Sequence, residues 1–86
     1  MTYIPTIPIR DLIEVEFEES KDFLRNMTRL ELACKDGNIN KNKHTIVFST
    51  KSGLLKVKAT IWMVGKNYIL LKENLYIPIK SIIDVI

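Results

Sequence analysis

The sequence is poor in the residues that build enzyme sites and covalent cross-links. It has one cysteine, one histidine and three glycines. A lone Cys34 forms no intrachain disulfide, and a lone His44 builds neither the usual zinc site nor a Ser/His/Asp arrangement. The three glycines are too far apart for a phosphate-binding loop. These absences predict a protein that is not an enzyme and that uses no metal and no cofactor.

The sequence also lacks long apolar segments. No apolar run approaches the roughly 20 residues of a membrane-spanning helix. The first five residues lack the basic head and the apolar stretch of a signal peptide. With its single cysteine, the chain is typical of a reducing, cytoplasmic setting without a membrane partner. Its 86 residues predict a single domain over 1–86 with one modest core.

Charge is unevenly distributed along the chain. Residues 1–36 hold five Lys/Arg and eight Asp/Glu, whereas residues 37–86 hold eight Lys and two acids. A basic second half is compatible with an anionic partner. A solvated lysine surface without any partner would give the same composition.

Alternation of apolar and polar residues predicts that most of the chain is β-structure. In residues 12–18, Ile13, Val15 and Phe17 fall on one face and three glutamates on the other. Further strands are predicted at 29–34, 45–50, 54–64, 68–72, 75–77 and 82–86, with turns at 36–37, 51–53, 65–67 and 73–74. Residues 38–43 are predicted to form a loop. Residues 19–27 predict a short helix capped by Ser20, the alternative being a loop that holds Phe23 and Leu24 over the end of a barrel.

Short strands joined by tight turns favour an all-β fold with at most one short helix. The specific expectation is a small barrel of five to seven short strands, of the Sm/SH3-like kind. Closure of such a small sheet removes its exposed edges.

A nine-residue phrase occurs twice, at residues 7–15 and 77–85. Both copies run apolar, Pro, apolar, base, polar and then aliphatic, so Pro8 and Pro78 interrupt a strand at equivalent points. The repeat predicts the same corner twice, with a 3₁₀ turn after Pro78. Similarity of two barrel corners is one explanation. The functional alternative is that Arg10 and Lys80 lie on one rim and bind an anion together.

One segment combines basic and aromatic residues at strand spacing. If the alternate residues Leu55 to Met63 point inward, Lys56, Lys58 and Trp62 point outward. Single-stranded nucleic acids are bound by such sets, because bases stack on rings while ammonium groups meet phosphates. The next strand extends this predicted patch by Lys66, Tyr68 and Lys72. The alternative is that Trp62 packs under the short helix or the N-terminal arm.

The closing segments resemble a known family. Residues 64–74, Val-Gly-Lys-Asn-Tyr-Ile-Leu-Leu-Lys-Glu-Asn, followed by the aliphatic residues 82–86, are similar to the closing half of Sm-like barrels such as the bacterial RNA chaperone Hfq. The Tyr-Ile-Pro opening also resembles the Rho-binding antiterminator, another Sm-like barrel. The resemblance implies a small barrel and, secondarily, RNA. The Tyr-Lys-His signature of Hfq is replaced by Pro78-Ile79-Lys80, so only Lys80 carries over.

Two functional hypotheses follow from the sequence. The first is a non-enzymatic module that binds nucleic acid, RNA in particular. Its expected contacts are Lys56, Lys58, Trp62, Lys66, Lys72, Lys80 and Arg10. The second is a protein-interaction or oligomerisation module that uses Trp62 and the sheet edges without binding nucleic acid.

Overall fold

Two small β-sheets and one α-helix make up the protein, which a computed structural model describes over residues 3–86. The strands are β1 (Thr6–Ile7), β2 (His44–Thr50), β3 (Gly53–Ala59), β4 (Ile61–Val64), β5 (Tyr68–Leu71), β6 (Leu75–Pro78) and β7 (Ile82–Val85), and the helix is α1 (Met27–Asn40). Two 3₁₀ helices span Ile9–Glu14 and Ile79–Ser81. The chain is therefore mostly β, and its seven strands fall within the expected five to seven, but the 14-residue α1 is longer than the short helix that the all-β expectation allowed.

The first sheet has the strand order β1-β3-β2-β7. Its centre is the β2–β3 hairpin, in which Ile46 lies opposite Val57 and both side chains are buried. β-Branched residues dominate β2, and they suit a pleated surface that packs on both neighbours. The second sheet has the order β4-β5-β6, with Ile69 opposite Ile77 in the core.

The predicted strand over 54–64 is divided between the two sheets. The chain leaves the first sheet after Ala59 and enters the second at Ile61, and Thr60 between them is buried. The predicted inward face holds at Val57, Ala59 and Ile61 but is wrong at Met63, which is 52% exposed. The pairing register of β4 with β5 shifts between Ile61 and Met63, so one extra residue in β4 reverses the alternation.

Most of the predicted secondary structure of residues 19–43 is wrong, and only the loop at 41–43 and the loop alternative before residue 27 agree with the structure. Residues 20–26 have no regular structure, and the predicted strand 29–34, the turn 36–37 and part of the loop 38–43 all belong to α1. The cap is Asn26, whose side chain accepts from the Thr28 amide at 3.1 Å, and not Ser20. Leu30, Ala33 and Gly37 form the buried stripe at helical spacing. Gly37 is required there because a Cβ would lie 2.7 Å from the Ile61 carbonyl oxygen.

The predicted strand over 12–18 is also wrong for its first half, which is the first 3₁₀ helix. Leu12 is buried, and Ile13, expected in the core, is 76% exposed. The expected alternation survives at Val15 and Phe17, which pack against the core. Phe17 forms an isolated antiparallel bridge with Thr50, so residues 16–18 add a minimal strand beside the β2–β3 turn.

The two copies of the repeated phrase share only the first part of the predicted strand–turn–strand corner. Pro8 and Pro78 have nearly equal backbone angles, and a 3₁₀ helix follows each of them. The second copy then continues into β7, whereas most of the equivalent residues of the first copy belong to its 3₁₀ helix. β1 and β7 lie at opposite edges of the first sheet.

The turn at 73–74 is confirmed: both residues have positive φ, and the Asn74 amide bonds the Leu71 carbonyl at 3.2 Å. In the part of the chain that the model describes, no helix has the length and apolar character needed to cross a membrane.

Candidate functional site

The lysines expected beside Trp62 are separated from it by the break at Thr60. Lys56 and Lys58 lie on β3 in the first sheet, and Trp62 lies on β4 in the second. Lys56 is half-buried, because β1 pairs alongside it and its amide bonds the Pro5 carbonyl at 2.9 Å. The predicted Lys56–Lys58–Trp62 stripe is therefore divided between the two sheets.

Trp62 itself is 42% exposed. Its backbone carbonyl accepts a hydrogen bond from the Asn38 side chain at 3.0 Å, which ties β4 to the last turns of α1. The ring is therefore partly exposed to solvent. It belongs to the second sheet, whereas the predicted lysines belong to the first.

The remaining predicted cations fall into two groups. Lys58 and Lys72 line a small groove together with Lys43. Lys66 and Lys80 line a second, larger groove of about 500 Å³. Arg10 is exposed on the first 3₁₀ helix and lines neither groove, so a rim shared by Arg10 and Lys80 stays a prediction.

The larger groove, called the main groove below, is built from three connected segments. Its walls are the loop 19–27, the turn between β4 and β5, and the corner after Pro78. The loop is held in place where the Ser20 amide bonds the Lys80 carbonyl at 3.0 Å. The Ile79 amide bonds the Asn67 carbonyl at 2.9 Å and joins the turn to the corner. Backbone hydrogen bonds thus fix the relative positions of all three walls.

The segment 19–27 forms a loop up to the start of α1 at Met27. This is the alternative that the sequence offered to a short helix. Leu24 packs against the hydrophobic core, and Phe23 lines the main groove. Leu24 also lines the groove beside Phe23, so the two adjacent residues contribute to one surface, which alternation along a strand could not reveal.

The lining of the main groove combines cations with aromatic rings. The lining includes three cations, Arg25, Lys66 and Lys80, one carboxylate, Glu19, and the two rings of Phe23 and Tyr68. The Arg25 guanidinium lies 4.3 Å from the centre of the Phe23 ring, a cation–π geometry that orients both groups. Within residues 3–86, the three ion pairs involve Arg29–Asp84, His44–Asp36 and Lys51–Glu16. The three groove cations are therefore free to meet an anion.

Tyr68 also belongs to a second surface, the outer face of the three-stranded sheet. The inner face holds the buried Ile61, Ile69, Leu71 and Ile77, so the alternate residues point outward. The outer face consists of Trp62, Met63, Tyr68, Leu70, Tyr76 and Pro78. Tyr68 and Tyr76 meet edge to face with ring centres 6.3 Å apart.

The sequence pattern missed Phe23, Arg25 and Tyr76. Arg25 and Phe23 were hidden by the wrong helix prediction. Tyr76 was predicted to lie in a strand, and its pairing opposite Leu70 was the missing information. Tyr76 and Pro78, which are two residues apart as on one face of a strand, add to the outward Trp62 and Tyr68 that the sequence had already indicated.

A polar cluster lies apart from the main groove, at the end of α1. The Asp36 carboxylate accepts hydrogen bonds from Asn40 at 2.8 Å, Asn42 at 3.1 Å and His44 at 2.8 Å. Hydrogen bonding by Asn40, followed by His44 and Asn42, lowers the pKa of Asp36. The cluster connects α1 to the start of β2 and serves the fold.

Comparisons of the chain with protein-family models, with curated proteins and with solved structures gave no match.

Proposed function

We propose that the protein is a non-enzymatic module that binds single-stranded nucleic acid, RNA in particular, in the main groove. The observation that carries the proposal is the lining of one groove by three unpaired cations and two aromatic rings. Cations attract phosphates irrespective of sequence, and rings accept stacked bases. Each stacked base contributes about 1–3 kcal/mol, which makes even a small groove effective.

RNA is preferred within this class because residues 64–74 and 82–86 resemble the closing half of Sm-like barrels. The groove includes part of the first segment, the Lys66-Asn67 turn, and the residues Pro78 to Lys80 that immediately precede the second segment. The Asn67 side chain offers a donor and an acceptor suited to a base edge. Of the originally expected contacts, Lys66 and Lys80 belong to this groove, and the roles of Lys56, Lys58, Lys72 and Arg10 stay predictions.

The proposed architecture is a small barrel of the Sm/SH3-like kind. Residues 53–64 pass from one sheet to the other at Thr60, as strands do at the corners of orthogonally packed sheets. Both sheets contribute to one hydrophobic core that includes Ile46, Ile61 and Ile77. A 3₁₀ turn separates β6 from β7, which returns to pair with β2.

The main groove predicts which lysines matter for binding. With a fluorescent single-stranded RNA at about 50 mM salt and about 10 μM protein, the wild type should raise the anisotropy. The Lys66→Glu/Lys80→Glu variant should weaken binding by about tenfold or more, because it replaces two phosphate-attracting groups by repelling ones.

Lys35→Glu is the matched control, because Lys35 is exposed on α1 and lines no groove described above. It should bind within about twofold of the wild type. Absence of any anisotropy change for the wild type would exclude the proposal, and equal losses in both variants would exclude the groove as the site.

A protein-interaction or oligomerisation module is the second candidate function. Exposure of Met63 and Tyr76 on the outer face favours it, since exposed apolar surfaces are typical of interaction sites. A dimer or larger species in light scattering, together with no RNA binding, would favour this candidate over the first.

A further inference from the structure

The outer face is unusually rich in exposed rings for so small a sheet. Trp62, Tyr68 and Tyr76 are 42%, 52% and 55% exposed. None of them, nor Met63 or Leu70, belongs to the residues that pack against the core. The packing of the protein therefore does not account for this concentration of rings, one on each of three neighbouring strands.

The outer face is continuous with the main groove. Tyr68 and Pro78 lie opposite each other on β5 and β6, and both also line the groove. From Tyr68 the surface continues to Tyr76, its edge-to-face neighbour. It then crosses β5 at Leu70, which pairs with both Tyr76 and Met63. With strands about 4.8 Å apart, β4 and β6 are separated by about 10 Å.

Charge distinguishes a nucleic acid from a protein as the occupant of this face. Lys66 and Lys72 flank the two ends of β5, and neither forms an ion pair with another residue of the described chain. Glu73 is the one acid between residues 61 and 80. Exposed rings on a sheet with cations at its ends match a known solution for RNA, in which sheet aromatics stack two or three bases.

We infer that a single strand bound in the main groove continues over the outer face, where Tyr76 and Trp62 stack successive bases. This inference rests on the proposed function and deepens it. It assigns two surfaces to one ligand: the groove holds one end of the contacted segment through phosphates, and the face adds stacking. The contacted segment is accordingly longer than the groove alone accommodates.

Trp62 provides the test, because it is the only tryptophan and its emission reports on this face alone. An oligouridine of about 12 nucleotides should change the Trp62 emission, whereas a trinucleotide that shifts the amide resonances of Lys66 and Asn67 should not. Trp62→Ala and Tyr76→Ala should each weaken binding of the longer strand about 5- to 100-fold and leave the trinucleotide shifts unchanged.

Leu32→Ala is the control for loss of an exposed apolar side chain, since Leu32 is exposed on α1. It should leave both ligands unaffected. Binding of the longer strand that depends on Lys66 and Lys80 but leaves Trp62 emission unchanged would overturn the inference and keep the proposed function. Failure of both RNAs to bind would overturn the proposed function itself. A dimer that Trp62→Ala dissociates would identify the face as an interface between copies and overturn the inference.

Discussion

At the scale of single residues, Asp36 shows how one carboxylate stabilises a junction between elements. It connects the last turn of α1 with Asn42 and His44 across the short loop that leads into β2. Asp36 lies on the helix and His44 begins the strand, so the bonds from Asn42 and His44 restrain this connection, while the bond from Asn40 lies within α1. The ionised form accepts all three bonds, which is why its pKa falls.

The lowered pKa of Asp36 predicts a specific pH dependence of stability. Because the folded-state pKa lies below the unfolded value of about 3.9, the contribution is fully present above that value. It is lost as the pH falls through the folded pKa. Asp36→Asn should therefore be less stable than the wild type near pH 5, and the difference should shrink towards about pH 2. Urea unfolding of both proteins across this range measures it.

Asp22→Asn is the control for removal of a carboxylate, because only the backbone amide of Asp22, and not its carboxylate, is hydrogen-bonded within residues 3–86. Its difference from the wild type should be smaller throughout. A difference for Asp36→Asn that stays constant over the whole pH range would show that ionisation of Asp36 does not contribute.

At the scale of elements, the turn of the β5–β6 hairpin contains a residue that is poorly suited to its backbone conformation. Glu73 and Asn74 have φ values of 74° and 61°. Two-residue hairpin turns with positive φ at both positions favour Asn, Asp and Gly, and a glutamate in this region is strained.

Replacement of Glu73 by asparagine should therefore stabilise the protein. Asn tolerates positive φ better than Glu, so Glu73→Asn should raise the free energy of unfolding by about 0.5–1 kcal/mol in urea. Glu73→Ala removes the same charge without easing the backbone, and it should give no gain. Equal stabilisation by both substitutions would attribute the effect to charge.

The strands that the sequence predicts correctly carry different signals. β5 and β6 alternate around the buried Ile69, Leu71 and Ile77. β2 has three consecutive buried residues, and its β-branched composition was the signal instead. The helix α1 was missed because Leu32 and Ile39, which are exposed, obscure its buried stripe. Leu30 and Leu32 around Glu31 imitate a strand, although only Leu30 is buried.

The candidate site was predictable in composition but not in position. Lys66 and Lys80 were expected contacts and do share a groove, because the Asn67–Ile79 hydrogen bond joins two turns that are distant in sequence. The prediction of the Lys56–Trp62 patch assumed one straight strand, whereas these residues belong to two strands in two sheets. A bend at a buried threonine and a one-residue bulge leave no clear mark on residue type.

At the scale of the whole molecule, the long loop before the helix brings the two halves of the charge distribution together. Its backbone bonds the carbonyl groups of Lys80 and Ile82, so it runs beside the second 3₁₀ helix and β7. It thereby adds Arg25 and Phe23 from the acidic half to Lys66 and Lys80 from the basic half. A site built from both halves should therefore bind an anion through a few neighbouring cations and not through the whole basic surface.

Salt dependence separates this local site from a diffuse lysine surface. Single strands lose affinity with a slope of about −0.7 per neutralised phosphate in a plot of log affinity against log salt concentration. The three cations of the main groove predict a slope near −2, whereas participation of all eight lysines of residues 37–86 would give about −6. Anisotropy titrations between about 50 and 300 mM salt measure the slope.

Lys66→Ala should reduce the magnitude of the slope by about 0.7, and Lys35→Ala should leave it unchanged, because only Lys66 lines the groove. A slope near −6 that neither variant changes would assign binding to the basic surface as a whole.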